Sequence, residues 1–128
     1  MKIEHFALNV EDALSTARWY VEHLGLTVKR RVMEAPWAHF LADDSGTVMI
    51  EIYSNTTVEL ADYRNTDPLA MHLALVSNNV EADVARLISA GASQVGEIQQ
   101  TPSGDTMAML RDPWGVAIQL VKRATPML

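Results

Sequence analysis

An α+β fold of two βαβββ repeats, forming an incomplete barrel around a central cavity, is what this chain predicts. Three observations point to it. The opening His5-Phe6-Ala7-Leu8-Asn9-Val10 returns as His72-Leu73-Ala74-Leu75-Val76. The stretch Leu41-Ala42-Asp43-Asp44-Ser45-Gly46, running into Thr47-Val48-Met49-Ile50-Glu51-Ile52, returns as Leu110-Arg111-Asp112-Pro113-Trp114-Gly115 running into Val116-Ala117-Ile118-Gln119-Leu120. Between the two matched stretches of each copy lies a segment of helical periodicity. A repeat of about 68 residues is too short for a core of its own. Pairing two such units buries one sheet face under helices and leaves the other lining a shared concavity.

The elements follow in order. Residues 2–9 read as a buried strand, closed by Glu11 and Asp12. From Asp12 to Leu24 the residues Leu14, Ala17, Val21 and Leu24 recur at helical spacing. Gly25 then stops the helix, because it tolerates positive φ. Residues 26–34 and 37–42 read as strands separated by Pro36. Asp43 to Gly46 forms a turn, and 47–53 is a strongly apolar strand. In the second copy 70–76 is a strand. Asn78 begins a helix, with Glu81 three residues on. Val80, Val84, Leu87 and Ile88 form the apolar stripe of that helix, and Gly91 ends it. Strands at 93–100, 105–111 and 116–122 follow, joined by the turns Thr101-Pro102-Ser103-Gly104 and Asp112-Pro113-Trp114-Gly115. The expected organisation is one domain over 1–128, made of units 1–54 and 70–123 with a polar linker at 55–69.

Composition narrows the functional classes. The chain has 128 residues, 48% of them hydrophobic and 20% charged, with a net charge of −6. No Lys/Arg patch suited to phosphate is present, which argues against nucleic acid as a partner. The only basic run, Lys29-Arg30-Arg31, reads as a solvated strand edge. With no cysteine, disulfides and thiolate metal sites are excluded. No apolar run reaches the ~18 residues of a membrane span, and Met1-Lys2-Ile3-Glu4-His5 does not resemble a signal peptide. The expected location is the cytoplasm.

Four polar residues occupy repeat-equivalent places in strands: His5 and Glu51, then His72 and Gln119. Strand alternation assigns Phe6, Leu8, Val10, Val48, Ile50 and Ile52 to the helix side. It assigns His5, Ile3, Ala7, Met49, Glu51 and Tyr53 to the concave side. In the second copy, Met71, Leu73, Leu75, Ile118 and Leu120 are core. His72, Ala74, Val76, Ala117, Gln119 and Val121 face away. Two imidazoles, a carboxylate and an amide oxygen suit a divalent ion such as Zn, Ni, Fe, Mn or Co. The competing reading is that Glu51 pairs with His5 or His72 in a dry salt bridge without an ion. Trp37, His39, Met49, Tyr53 and Met109 are the candidate pocket residues. His39 also has a solvent-facing reading, and the Met and aromatic residues a plain core reading. Glu34 is a weaker acid/base candidate. His23 reads as a partner for a helix C-terminus. Trp114 suits a partner subunit, a pocket cover or a shielded sheet edge.

The chain resembles the vicinal oxygen chelate superfamily, also called the glyoxalase/bleomycin-resistance/dioxygenase family. The residues that carry the likeness are His5-Phe6-Ala7-Leu8-Asn9-Val10, Trp19-Tyr20, Leu24-Gly25-Leu26, His72-Leu73-Ala74-Leu75 and Arg111-Asp112-Pro113-Trp114-Gly115. The resemblance implies a metal site on the first, fourth, fifth and eighth strands: His5, Glu51, His72 and Gln119. It departs from the glyoxalase I pattern at Gln119, where that pattern has a Glu that shuttles a proton. A carboxamide is no general base near neutral pH, so Glu51 becomes the expected catalytic residue. The expected function is a metal-dependent lyase or isomerase acting on a small oxygenated molecule by chelation and enolate stabilisation. The alternatives are a metal-free small-molecule or antibiotic-binding protein and an extradiol-dioxygenase-like enzyme. The resemblance also implies a homodimer, and leaves open whether the site lies within one chain or across two.

Overall fold

The computed structural model describes residues 1–127. It divides into two compact units, Met1–Ala61 and Asp62 onward. Residues 55–61 therefore go with the first unit and 62–69 with the second.

The first unit runs β1 (His5–Asn9), α1 (Ala13–Leu24), β2 (Thr27–Arg31), β3 (His39–Ala42) and β4 (Met49–Tyr53). Its sheet order is β1-β4-β3-β2, with β1 parallel to β4 and the other pairs antiparallel. The Asp12 side chain caps α1 by accepting from the Ser15 N–H, and Gly25 closes it at φ 74°. The buried residues of α1 are Ala13, Thr16, Ala17, Trp19 and Tyr20. Leu14 and Val21, expected on the apolar stripe, are exposed. The small residues let α1 lie close to Leu8, Leu41, Ile50 and Ile52, and Tyr20 fills the space that remains. Phe6 and Val48, also expected in this core, are largely exposed. β1 is an edge strand, so helix cover at its start is missing. β2 is the other edge; all five of its residues are exposed, in keeping with the solvated reading of Lys29-Arg30-Arg31. β3 starts at His39 rather than 37. Trp37 is a left-handed non-glycine residue at φ 59°, and its N–H closes a turn onto the Glu34 carbonyl.

The second unit repeats the plan with β5 (Leu73–Val76), α2 (Val80–Ser89), β6 (Ser93–Gln100), β7 (Thr106–Arg111) and β8 (Ala117–Lys122). Its order, β5-β8-β7-β6, is that of the first unit. The helix is capped by Asn79, one residue later than expected, whose side chain accepts from the Ala82 N–H. Val80, Val84 and Leu87 pack on Leu110, Ile118 and Leu120. Ile88 stays exposed, and Leu73 and Leu75 are only half-buried on the edge strand β5.

Residues 62–69, the second half of the polar linker read from the sequence, form an anchored strap. Arg111 donates from Nη1 to the Tyr63 and Gly115 carbonyls at 2.6 and 2.9 Å, and from Nη2 to the Thr66 carbonyl at 2.7 Å. Arg64 donates to the Pro113 carbonyl at 2.7 Å. Gly115 sits at φ 103°, where an added Cβ would lie 2.9 Å from the Arg64 backbone nitrogen. Only glycine lets the 112–115 turn and the strap approach this closely. The turn itself is held by Asp112, whose carboxylate accepts from the Trp114 and Val116 N–H groups. Ala117 and Val121, expected to line an open face, are buried. Arg111 stands opposite Ala117 in the ladder, and Val121 is flanked by Met107 and Val76.

Candidate functional site

Residues opposite one another in a ladder project to the same sheet face. In the first unit Glu51 stands opposite Ala7 on β1 and Phe40 on β3. In the second, Gln119 stands opposite Ala74 on β5 and Met109 on β7. Each histidine lies two residues before the alanine of its unit. His5 thus relates to Glu51 as His72 relates to Gln119, and the quasi-symmetry read from the repeat extends to strand register.

The first unit brings its two candidates together. His5 Nε2 lies 3.4 Å from Glu51 Oε2, and both side chains are partly exposed, 35% and 20%. The other ring nitrogen, Nδ1, is bonded to the Glu4 carboxylate. Phe40 meets the imidazole edge-on, with centroids 5.6 Å apart. The Glu4 hydrogen bond raises the His5 pKa above the ordinary imidazole value; desolvation opposes it, and the Glu4 and Glu51 charges add to it.

In the second unit, His72 Nδ1 bonds the Pro68 carbonyl at 2.7 Å, which leaves Nε2 as its outward nitrogen. Gln119 lies on the floor of a cleft of about 360 Å³, with Met107, Met109 and Val95 beside it and Asp67, Pro68 and Leu69 of the strap as one wall. The strap thus both walls the cleft and orients His72.

The candidate pocket residues divide. Met49 and Tyr53 share the Glu51 face and are half-buried. Met109 lines the second unit's cleft. His39 stands opposite Ile52, on the helix side, is 7% exposed, and bonds the Trp37 carbonyl through Nδ1 at 2.6 Å. It is neither on the Glu51 face nor in solvent. Trp37 lies in the turn before β3. Its nearer counterpart on the Glu51 face is Phe40, which only strand register reveals. His23 meets Trp19 at a tilted angle, with ring centroids 5.3 Å apart. Glu4 was legible as the neighbour of His5 but had no reason to be chosen. The Pro68 carbonyl and the Arg111 fork leave no mark in composition or spacing.

The donors can be tested against an ion. A hydrogen-bonded N–H···O pair ordinarily spans about 2.7–3.2 Å. Two ligands each about 2.1 Å from a tetrahedral ion lie about 3.4 Å apart. The His5–Glu51 separation of 3.4 Å matches the second spacing. Nδ1 of each histidine is held by an oxygen acceptor, the arrangement that orients metal-ligating imidazoles. Among the described residues no group of three or more His, Cys, Asp or Glu converges. Each unit offers one imidazole and one further oxygen donor, and in the second that donor is an amide.

The Glyoxalase/Bleomycin resistance protein/Dioxygenase superfamily matches residues 2–120. Among solved structures, the antibiotic-binding protein TnmS3 from Streptomyces sp. CB03234 is 24% identical, with 97% of each chain covered and a TM-score of 0.73. A glyoxalase family protein from Bacillus cereus is 21% identical over 98% of this chain and 94% of that one, with a TM-score of 0.75. A glyoxalase-related enzyme from Fulvimarina pelagi is 20% identical over 96% and 88%, with a TM-score of 0.73. At these identities the likeness shows the fold alone. No curated protein matches the chain.

Proposed function

We propose a function from one premise, that the chain belongs to the Glyoxalase/Bleomycin resistance protein/Dioxygenase superfamily. It is a metal-dependent lyase or isomerase acting on a small oxygenated molecule. His5, Glu51, His72 and Gln119 are the residues that would hold a divalent ion. The observation that carries this reading is the 3.4 Å spacing of His5 Nε2 and Glu51 Oε2, with Nδ1 of the ring already engaged by Glu4. Such an ion supplies a Lewis acid that polarises a substrate carbonyl and offsets the negative charge developing beside it.

The chain's own residues do the rest. Glu51 is the carboxylate that moves the proton. A C–H bond next to the substrate carbonyl breaks, an O–H bond forms at the Glu51 carboxylate, and the proton returns to the product. Gln119 would offer the ion its amide oxygen and moves no proton. Met49, Tyr53 and Phe40 keep the surroundings of Glu51 apolar, which strengthens its interactions by reducing water.

A second reading is favoured by the cleft. Its volume of about 360 Å³ suits a drug-sized molecule. Its methionine floor and the carboxylates of Asp67 and Glu97 suit an apolar cation. In that case the protein binds a small molecule without turning it over, in line with the antibiotic-binding description of TnmS3. A homodimer forms part of either reading, supported by exposed Phe6 and Val76 on the edge strands β1 and β5. Sedimentation at micromolar concentration tests it.

Elemental analysis of protein purified without an affinity tag decides between the two readings. About one Zn, Ni, Fe, Mn or Co per chain, lost in both His5→Ala and His72→Ala, supports the enzyme. No metal, and none taken up on addition, rejects it in favour of the binding protein.

A further inference from the structure

Glu4 lies just outside the first strand, yet its place is fixed. Its carbonyl accepts the Met49 N–H at 3.0 Å, extending the β1–β4 ladder by one step. Its carboxylate turns back onto Nδ1 of His5. Phe40 stands edge-on against the same ring, so the imidazole is bounded on two sides.

A neutral imidazole carries one N–H. Free histidine side chains favour placing it on Nε2. In that tautomer His5 would offer its Nε2–H to Glu51 as a hydrogen bond, and its lone pair would sit on Nδ1 against the Glu4 carboxylate, where no ligand could reach it. The Glu4 carboxylate is hydrogen-bonded to Nδ1, whereas Glu51 stands 3.4 Å from Nε2, beyond ordinary hydrogen-bond length; because a carboxylate accepts only from an N–H, the closer one reverses the preference. The lone pair then sits on Nε2, facing Glu51 Oε2 across 3.4 Å. Two acceptors facing one another at that distance attract a cation and not each other.

We propose that Glu4 is a positioning residue: its carboxylate holds His5 in the Nδ1–H tautomer and thereby leaves the lone pair on Nε2, free to ligate a cation. The second unit uses the neutral Pro68 carbonyl for the same purpose on His72. The imidazoles of the two units are therefore unequally backed, and His5, backed by a charge, is the stronger lone-pair ligand. The consequence for metal affinity rests on the reading of His5 as a ligand; the tautomer itself does not.

The test is long-range proton–nitrogen NMR of the full-length, metal-free chain, at a pH where its imidazoles are neutral. In the wild type His5 carries its proton on Nδ1. Glu4→Ala moves it to Nε2, while the signals of His23, His39 and His72 stay in place and report an intact fold. Glu4→Gln restores the Nδ1–H form, because the carboxamide oxygen still accepts. Zn²⁺ titration of the same proteins shows an affinity about 10- to 100-fold weaker for Glu4→Ala, with most of it recovered by Glu4→Gln. A wild-type His5 protonated on Nε2, or an unchanged tautomer in Glu4→Ala, overturns the proposal. A Glu4-dependent tautomer in a protein that takes up no Zn²⁺ supports the positioning role and overturns only the metal reading.

Discussion

Arg111→Met removes the fork that ties the 62–69 strap to the second unit. The methionine keeps the apolar stem and loses three donors, those to the Tyr63, Thr66 and Gly115 carbonyls. A hydrogen bond from a charged donor contributes about 1.5–3 kcal/mol. Tyr63 and Thr66 are only half-buried, and water takes over part of the bonding of their carbonyls, so the sum falls to about 2–4 kcal/mol. For a chain of this size that lowers Tm by about 10 °C. Arg111→Lys recovers little, because a single ammonium cannot reproduce a fork spanning three carbonyls. Two assays read the effect. Thermal unfolding by circular dichroism gives the Tm. Limited trypsin digestion reports the strap itself, because exposed Arg64 lies within it; cleavage after Arg64 accelerates in the variant as local opening becomes easier. A Tm within about 1 °C of wild type, together with an unchanged rate of cleavage after Arg64, would refute the claim that Arg111 holds the strap.

Other outcomes follow from the same structure. Glu51→Gln abolishes turnover while metal content is kept, since the amide still coordinates but takes no proton; undiminished kcat would sink the assignment of Glu51 as the base. Leu110→Ala, at a fully buried position facing α2, lowers stability by about 2–5 kcal/mol in urea unfolding. Asp83 is desolvated, which alone would raise its pKa, but hydrogen bonds from Ser77 and Arg86 outweigh that and lower it. A lowered carboxylate pKa stabilises the fold above its unfolded value of about 4 and is lost as pH falls through the folded value. Asp83→Asn is therefore less stable than wild type at neutral pH, and the gap closes on acidification; a pH-independent gap in urea midpoints would contradict the assignment.

Much of this protein was legible in local sequence. Helix and strand periodicity placed the ten elements of the described residues, because both signals depend on near neighbours. Gly25 marked the end of α1, and the repeat predicted that His5 and Glu51 would correspond to His72 and Gln119. Burial was harder to read. Phe6 and Val48 alternate like core residues but belong to a thinly covered part of the sheet, and Leu14 and Val21 sit on a helix that presents its small residues inward. His39, read as a pocket or solvent residue, turns instead to the helix side opposite Ile52, and Phe40 takes the Glu51 face. The sequence by itself determined the fold type and the four candidate ligands, since these follow from pattern and repetition. Only the tertiary structure decided that Glu4 anchors His5, that the Pro68 carbonyl anchors His72 and that Arg111 straps residues 62–69 across the second sheet. Those contacts depend on register and on backbone atoms that every residue shares, so no residue type announces them.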